Sequence, residues 1–147
     1  MSGVGKIGVL RTTGKFEEYN LPVGAHPMGI SYNKTQVSDL IWFTETIGNQ
    51  IGSINQQGQI KLYRIPTILA LPMMVMEDMT GDVWFTEFSG NQIGKLNVSN
   101  GSYKMNEFKV PTAMSGPMGL AMHPTDGSLW FSEVLRNRLG TLQTIPN

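Results

Sequence analysis

Apolar and polar residues alternate along this chain in short runs that are separated by turn-forming residues. The run from Leu40 to Glu45 shows the pattern: Trp and Thr fall on one face of a strand, and Phe and Glu fall on the other. Such runs are rich in the aromatic and β-branched residues that strands favour, and pairs such as Gly-Asn and Gln-Gly separate them. No window carries an apolar period of about 3.6 residues. The pattern predicts an all-β chain of short antiparallel strands.

These runs belong to a unit that recurs along the chain. An aliphatic residue followed by Trp-Phe-Thr/Ser-Glu occurs three times, with Trp42, Trp84 and Trp130 lying 42 and then 46 residues apart. Four antiparallel strands in a repeat of about 40–45 residues are typical of a β-propeller blade. We name the strands A to D from the axis outwards. A begins with Pro-x-Gly, B is the Trp-Phe-Thr-Glu segment, C carries Ile-Gly, and D ends in an aliphatic-Pro pair.

The repeats predict that the chain starts in the middle of a blade. We predict one domain over residues 1–147. Its strands follow the order C-D, then A-B-C-D twice, then A-B-C. The repeats span about 1–22 (partial), 23–66, 67–111 and 112–147 (partial). This makes about three blades, whereas closed propellers have about 4–8. We therefore expect a homodimer that completes six blades by pairing A-B of one copy with C-D of the other. The alternative is that the sequence is part of a longer propeller.

Composition excludes several classes of function. Lys plus Arg and Asp plus Glu number 11 each, and no basic stripe is present to bind phosphates, which argues against a nucleic-acid partner. The chain has no Cys, so disulfides, thiolate catalysis and Cys-type zinc sites are excluded. There is no apolar run of about 18 residues and no signal-like N-terminus. We therefore expect a cytoplasmic protein without a membrane partner.

The repeat motifs resemble those of the streptogramin B lyases, the virginiamycin B lyase family. The resemblance covers essentially the whole chain, and its most specific segments are Val83-Trp84-Phe85-Thr86-Glu87 and Gly90-Asn91-Gln92-Ile93-Gly94-Lys95-Leu96. It implies a seven-bladed propeller about twice this length, as in members of that family. These enzymes open a cyclic depsipeptide antibiotic at an ester by elimination, without water, using magnesium and a His/Glu-x-His set near the mouth of the channel.

The resemblance places the catalytic histidines at x of Pro-x-Gly-Ile and the glutamate immediately before that Pro. In this chain the x positions hold Met28, Met73 and Met118, and the positions before Pro hold His26, Leu71 and Gly116. Elimination needs a base for the proton and an acid or metal for the developing charge. Thioethers, Leu and Gly supply neither. We therefore expect the family's fold without its lyase residues, and magnesium is a possible cofactor only through the resemblance.

Two kinds of titratable residue remain as candidates. His26 is the one titratable residue where the A strands begin, so it is the candidate catalytic residue, although a loop histidine packed against the next proline is the simpler interpretation. The residues around His123 have the composition of a turn, so we expect this histidine to lie in an exposed A–B turn. One carboxylate recurs in every repeat and could ring the axis to hold magnesium or calcium: Glu45, Glu87 and Glu133. We favour instead a structural role for these glutamates at the B–C turn.

Methionines recur where the A strands begin, and they form the predicted ligand-binding set: Met28, Met73, Met74 and Met118. Methionine is flexible and polarizable, so these side chains suit an apolar small molecule at the mouth of an axial channel. The alternative is ordinary core filling between neighbouring A strands.

Three functions follow from this sequence. The first is a lyase-like propeller that has lost elimination chemistry, binds an apolar small molecule and assists a biosynthetic cyclisation or rearrangement by confinement. The second is an active metal-dependent C–O lyase that uses His26 with a glutamate of the Trp-Phe-Thr-Glu set. The third is a non-catalytic interaction scaffold.

Overall fold

The computed structural model describes residues 4–32 and 39–144, which form strands connected by turns and contain no helix. The strands are β1 (Val4–Leu10), β2 (Phe16–Val23), β3 (Pro27–Tyr32), β4 (Ile41–Glu45), β5 (Gln50–Ile54), β6 (Ile60–Arg64), β7 (Pro72–Glu77), β8 (Val83–Glu87), β9 (Gln92–Ser99), β10 (Ser102–Lys109), β11 (Pro117–Met122), β12 (Leu129–Glu133) and β13 (Arg138–Leu142). Within these residues, no segment forms a membrane-crossing helix.

The 13 strands form four antiparallel sheets in the order that the repeats predict. β1 and β2 are strands C and D of a leading sheet, β3–β6 and β7–β10 are complete sheets, and β11–β13 are A, B and C of a trailing sheet. The A strands lie at sheet edges, and β7 lies beside both β3 and β11. The predicted propeller blades are confirmed, and closure by a second copy stays a prediction.

Alternate residues of each B strand pack into two different cores between sheets. Trp42 packs against the following sheet, in a cluster with Val75 and Val83. Phe43 packs against the preceding sheet, in a cluster with Ile7. The Trp and Phe of β8 repeat this division one sheet further along. A complete sheet therefore buries apolar side chains on both faces, and it needs a neighbour on each side.

The phenylalanine rings lie on the glycines of the adjacent C strands. A Cβ atom at Gly52 would overlap the ring of Phe43, and the same relation holds for Gly94 with Phe85 and for Gly140 with Phe131. None of these three glycines has a positive φ. The Gly of the Ile-Gly repeat is therefore required by the close approach of an aromatic ring, not by the backbone conformation.

The hydroxyl of each Trp-Phe-Thr/Ser segment lies where its A strand bulges, just after the first proline. The Oγ1 atom of Thr44 accepts the N–H of Gly29 at 2.8 Å and donates to the carbonyl of Met73 in the following A strand at 3.0 Å. One sheet further, the same two bonds are made at 3.1 and 2.9 Å by Thr86 with Met74 and Met118. One buried hydroxyl thus joins two neighbouring A strands.

An asparagine in each B–C turn holds the linker that leads to the next sheet. The side chain of Asn49 donates to the carbonyl of Thr67 at 2.8 Å and accepts the N–H of Ala70 at 2.8 Å. Asn91 makes an equivalent set of bonds with Val110, Thr112 and Ser115. Asn137 has a similar left-handed φ of 52°, but no described residue forms a hydrogen bond with its side chain.

Replacing Asn91 with alanine should lower the free energy of unfolding by about 2 kcal/mol more than replacing Asn137, because only Asn91 leaves buried linker groups without partners. Both substitutions remove an asparagine from a left-handed φ, so this backbone cost cancels in the comparison. Urea denaturation of the two variants measures the difference. Equal losses of stability would contradict a role for Asn91 in holding the linker.

Candidate functional site

The predicted ligand-binding methionines lie where the three A strands begin. Met28, Met73 and Met118 each follow the first proline of β3, β7 and β11, and Met74 is the next residue of β7. Met28 is 58% exposed, and Met74 and Met118 are 37% and 38% exposed. Because β7 lies between the other two A strands, these side chains occupy one row along the inner sheet edges. Met73 is half-buried, so only part of this set is open to solvent, and ligand binding stays a prediction.

His26 lies beside this row of methionines. Its side chain is exposed, and its carbonyl accepts the N–H of Thr46 at 3.1 Å. The equivalent residues before the prolines of β7 and β11 are Leu71 and Gly116, which have left-handed φ values of 50° and 61°. His26 is therefore the only one of the three residues at this position with a titratable side chain.

His123 lies at the opposite end of an A strand, in the turn that follows β11. Its Nδ1 atom is 3.1 Å from an oxygen of Asp126, and both side chains are largely exposed. The predicted exposed turn is confirmed. Since His26 precedes β3 and His123 follows β11, the two histidines lie at opposite ends of the A strands and do not form one catalytic pair.

The repeated glutamates are buried at the ends of their B strands. The exposed fractions of Glu45, Glu87 and Glu133 are 2%, 0% and 5%. A carboxylate oxygen of Glu87 lies 2.7 Å from where a Cβ atom at Gly90 in the B–C turn would be, and the Gln92 side chain donates to Glu87 at 3.3 Å. One oxygen of each of the three carboxylates has no hydrogen-bond partner among the described residues. The structural role that we favoured, a hydrogen bond from each glutamate to its B–C turn, stays a prediction.

Burial changes the protonation of these carboxylates. Burial raises the pKa of Glu87 to about 8, and the negative charge of Glu107 adds to this rise, whereas the hydrogen bond from Gln92 opposes it. Burial also raises the pKa of Glu45. A pKa near neutrality marks a candidate acid or base. Glu87, however, is fully buried and cannot touch a substrate without a rearrangement of its blade.

The residues present do not fit the magnesium that the resemblance implies. Magnesium prefers carboxylate, carbonyl and water oxygens, and thioethers are soft ligands. Among residues 4–32 and 39–144, no group of three or more His, Asp or Glu side chains could hold a metal ion. The structure thus does not bring Glu45, Glu87 and Glu133 together, and we assign no chemical step to a metal.

A second possible site, which we did not predict from the sequence, lies at the other end of the A strands. A cavity of about 610 Å³ opens between the A–B turns of the last two sheets, and its apolar walls are formed by Met76, Met79, Met122 and Pro124. An ion pair of 2.6 Å between Lys95 and Asp82 contributes to the lining. The sequence feature that could have predicted this cavity is the methionine near the end of β7 and of β11. These methionines do not occupy equivalent positions in the repeat, so the repeat pattern does not bring them together.

Comparisons with known proteins agree with this architecture. A family model described as "Virginiamycin B lyase family" matches residues 2–146. Selenomethionine-substituted virginiamycin B lyase from Staphylococcus aureus superposes with a TM-score of 0.85 at 34% identity, over 97% of this chain and 47% of that chain. A catalytically inactive histidine-to-alanine variant of the Staphylococcus aureus enzyme with quinupristin gives a TM-score of 0.85 at 35% identity, with the same coverage. The chain therefore spans about half the length of these structures.

More distant structures share the fold alone. A putative 6-phosphogluconolactonase from Bacteroides uniformis superposes with a TM-score of 0.69 at 12% identity, over 97% of this chain and 48% of that chain. No curated protein matches the chain.

The free energy of unfolding should fall as the pH rises from about 5 to about 8. The unfolded chain releases the Glu87 proton near its ordinary pKa of 4.5, but the folded chain keeps it to about pH 8, so stability is lost across this window. Glu87 alone should contribute a slope of at most about 1.4 kcal/mol per pH unit, and Glu45, whose pKa is also raised, should add to it. Urea denaturation at four pH values measures it.

Two variants separate Glu87 from other groups. Glu87→Gln should reduce the slope by the contribution of Glu87, because the amide does not titrate. Glu17→Gln should leave it unchanged, since the hydrogen bond from Arg11 lowers the pKa of Glu17 and this group titrates below the window. An unchanged slope in Glu87→Gln would show that Glu87 does not hold its proton in the fold.

Proposed function

This chain belongs to the virginiamycin B lyase family, and we propose that it binds an apolar small molecule at the inner edges of its blades without opening it by elimination. The observation that carries this proposal is the methionine that follows the first proline of every A strand: Met28, Met73 and Met118. A thioether neither takes a proton at neutral pH nor binds magnesium well. The side chains where the A strands begin are thus suited to apolar contact with a ligand and not to proton transfer.

The exposure of these methionines supports a binding role. Buried methionines fill gaps in cores, whereas exposed and flexible ones adapt to apolar ligands of different shapes. The hydrogen bonds that join the sheets at this point use the backbone carbonyls of Met73 and Met118. These bonds do not require the thioethers, and the side chains of Met28 and Met118 are exposed to a ligand.

Binding of this kind can assist a reaction without acid–base groups. Holding a flexible molecule in a reactive conformation lowers the entropic part of the barrier to cyclisation or rearrangement. We propose that the chain acts in this way on its ligand in a biosynthetic reaction.

An active C–O lyase is the second candidate function. It is favoured by the strand register, which pairs Pro27 with Glu45 and so brings Glu45 close to His26. The burial of Glu45, which is 2% exposed, weighs against it, because a general base must reach the proton it removes. The third candidate is a non-catalytic interaction scaffold, which would neither bind a small molecule nor convert one.

Quinupristin, which is bound in a related structure, is a suitable first probe, and it should raise the melting temperature of this protein. Met28→Lys and Met118→Lys should abolish the shift, because each places a charge in the apolar row. Met79→Lys is the matched control, since Met79 is 76% exposed and lines the other cavity. A shift that only Met79→Lys removes would move the site to that cavity, and no shift with quinupristin would contradict the proposal for this ligand.

The same samples test for lyase activity. Elimination without water leaves the mass of quinupristin unchanged, so chromatographic retention and not mass must be followed. We expect intact quinupristin after prolonged incubation with magnesium. Conversion that is lost with EDTA and with His26→Ala would establish the lyase instead.

A further inference from the structure

The two ends of the chain carry the two halves of one inter-sheet contact. In the complete contacts, a Trp ring from one B strand lies against the following sheet, and Trp42 and Trp84 are both 2% exposed. Trp130 of the trailing sheet occupies the equivalent position, but it is 42% exposed. Leu139, at the position of Ile51, is 71% exposed, whereas Ile51 is 0% exposed. The trailing sheet thus presents an apolar face that no described residue covers.

The pair of hydrogen bonds made by the hydroxyl of each B strand is also incomplete in the trailing sheet. The Oγ atom of Ser132 accepts the N–H of Gly119 at 2.8 Å, as Thr44 and Thr86 do in their sheets. Those two threonines also donate to a carbonyl of the following A strand. Within residues 4–32 and 39–144, the hydroxyl of Ser132 finds no such acceptor. It therefore has a hydrogen to give to another A strand.

Among the described residues, the leading sheet contains only strands C and D, and a cavity lies where the tryptophan of a B strand would be. The cavity has a volume of about 390 Å³, and its walls include Tyr19, Ile41 and Ile54. The residues equivalent to these three, Tyr63, Val83 and Leu96, pack with Trp42 in the next contact. The cavity is therefore lined by the same kinds of residue that surround Trp42, but no tryptophan occupies it.

Two further groups at this end match the missing strand. Gly8 is the glycine of the Ile-Gly repeat, and a Cβ atom there would lie 2.9 Å from the ring of Phe16, which comes from β2 and is 62% exposed. In the other three sheets the ring comes from the B strand. The carbonyl of Met28 occupies the position of the Met73 and Met118 carbonyls, yet no described hydroxyl donates to it.

We propose that a second copy of this chain supplies the missing strands: the β11–β12 hairpin of each copy completes the β1–β2 sheet of the other. In this arrangement β12 would pair with β1 of the second copy in place of its own β13. The residue pairing would keep the register that β12 now has with β13. Trp130 then fills the cavity, Phe131 replaces the exposed ring of Phe16 on Gly8, and Ser132 donates to the carbonyl of Met28. Two copies related by a two-fold axis thereby form six complete blades.

The exchange is possible because β1 and β13 have the same pattern. Lys6-Ile7-Gly8-Val9-Leu10 matches Arg138-Leu139-Gly140-Thr141-Leu142 position by position. In the trailing sheet Glu133 lies opposite Arg138, whereas the two complete sheets have Gln at that position. After exchange, Glu133 would lie opposite Lys6, so the pairing of an acid with a base is kept.

The surface area of the chain supports a partner of this size. A folded monomer of 16.2 kDa should expose about 7,500 Å², whereas this chain exposes 8976 Å². An excess of this sign is expected when two apolar faces lie without a neighbouring sheet. A two-fold dimer with two junctions buries two such faces on every copy. The inference does not depend on the proposed ligand.

The mass and the tryptophan exposure of the purified full chain test this proposal together. Light scattering during gel filtration should give twice the 16.2 kDa chain mass. Acrylamide quenching should find all three tryptophans shielded at high concentration, with Trp130 becoming accessible on dilution. A chain that stays monomeric at about 100 µM, or a dimer in which Trp130 is still quenched, would overturn the proposal. A longer native polypeptide would then be the source of the missing strands.

Substitutions at the two ends locate the interface. Trp130→Asp should raise the dimer dissociation constant by at least about 30-fold, as expected for a central aromatic anchor. Val9→Trp should do the same by occupying the cavity, which Val9 also lines. Ile68→Asp is the control, because Ile68 is 84% exposed in a linker away from both ends, and this variant should remain dimeric.

Mixing the two defective variants gives the decisive result. In a 1:1 mixture, Trp130 of the Val9→Trp chain can enter the unaltered cavity of the Trp130→Asp chain. One of the two junctions is then intact, and a heterodimer should form although neither variant dimerises alone. Failure to form it, while both variants remain folded by circular dichroism, would exclude the exchange of hairpins. Dimers that survive both single substitutions would equally exclude it.

Discussion

The structure depends on the fact that each complete β-sheet of this chain is apolar on both faces. The Trp of a B strand faces the following sheet, and the adjacent Phe faces the preceding one, so neither ring is buried unless two neighbours are present. At roughly 25 cal/mol for each Å² of apolar surface removed from water, leaving one such face open costs several kcal/mol. The hydroxyl of Thr44 or Thr86 then fixes the neighbour's position by a hydrogen bond to its first backbone carbonyls.

The sequence was sufficient to predict the order of the strands because each strand carries a motif of its own. The Trp-Phe-Thr-Glu alternation and the Ile-Gly pair are local features, and their repetition identified every sheet, including the two incomplete ones. The reasons for two of these motifs became evident only in three dimensions. The glycine is required by a ring from another strand, and the asparagine of the B–C turn holds a linker about twenty residues away. Neither relation can be seen in a single repeat.

Less of the candidate site could be predicted. Met28, Met73 and Met118 were found because they share one position in the repeat, and Met74 because it follows Met73. The glutamates were found because they recur at the end of every B strand. The cavity beside Met76 and Met122 was missed, since it is formed by turns of two different sheets that share no motif. The raised pKa of Glu87 was also out of reach, because it arises from burial beneath a neighbouring linker and from the charge of Glu107.

The separation of backbone and side-chain roles at position x explains how this fold can change its chemistry. The carbonyl of Met73 or Met118 accepts the hydroxyl that joins two sheets, and any residue provides that carbonyl. The side chains at the same position are partly exposed, with 58% for Met28 and 38% for Met118. The hydrogen bond to the backbone does not depend on which residue stands at x. The sequence of the inner edge can therefore vary while the Trp, Phe, Gly and Thr positions hold neighbouring sheets together.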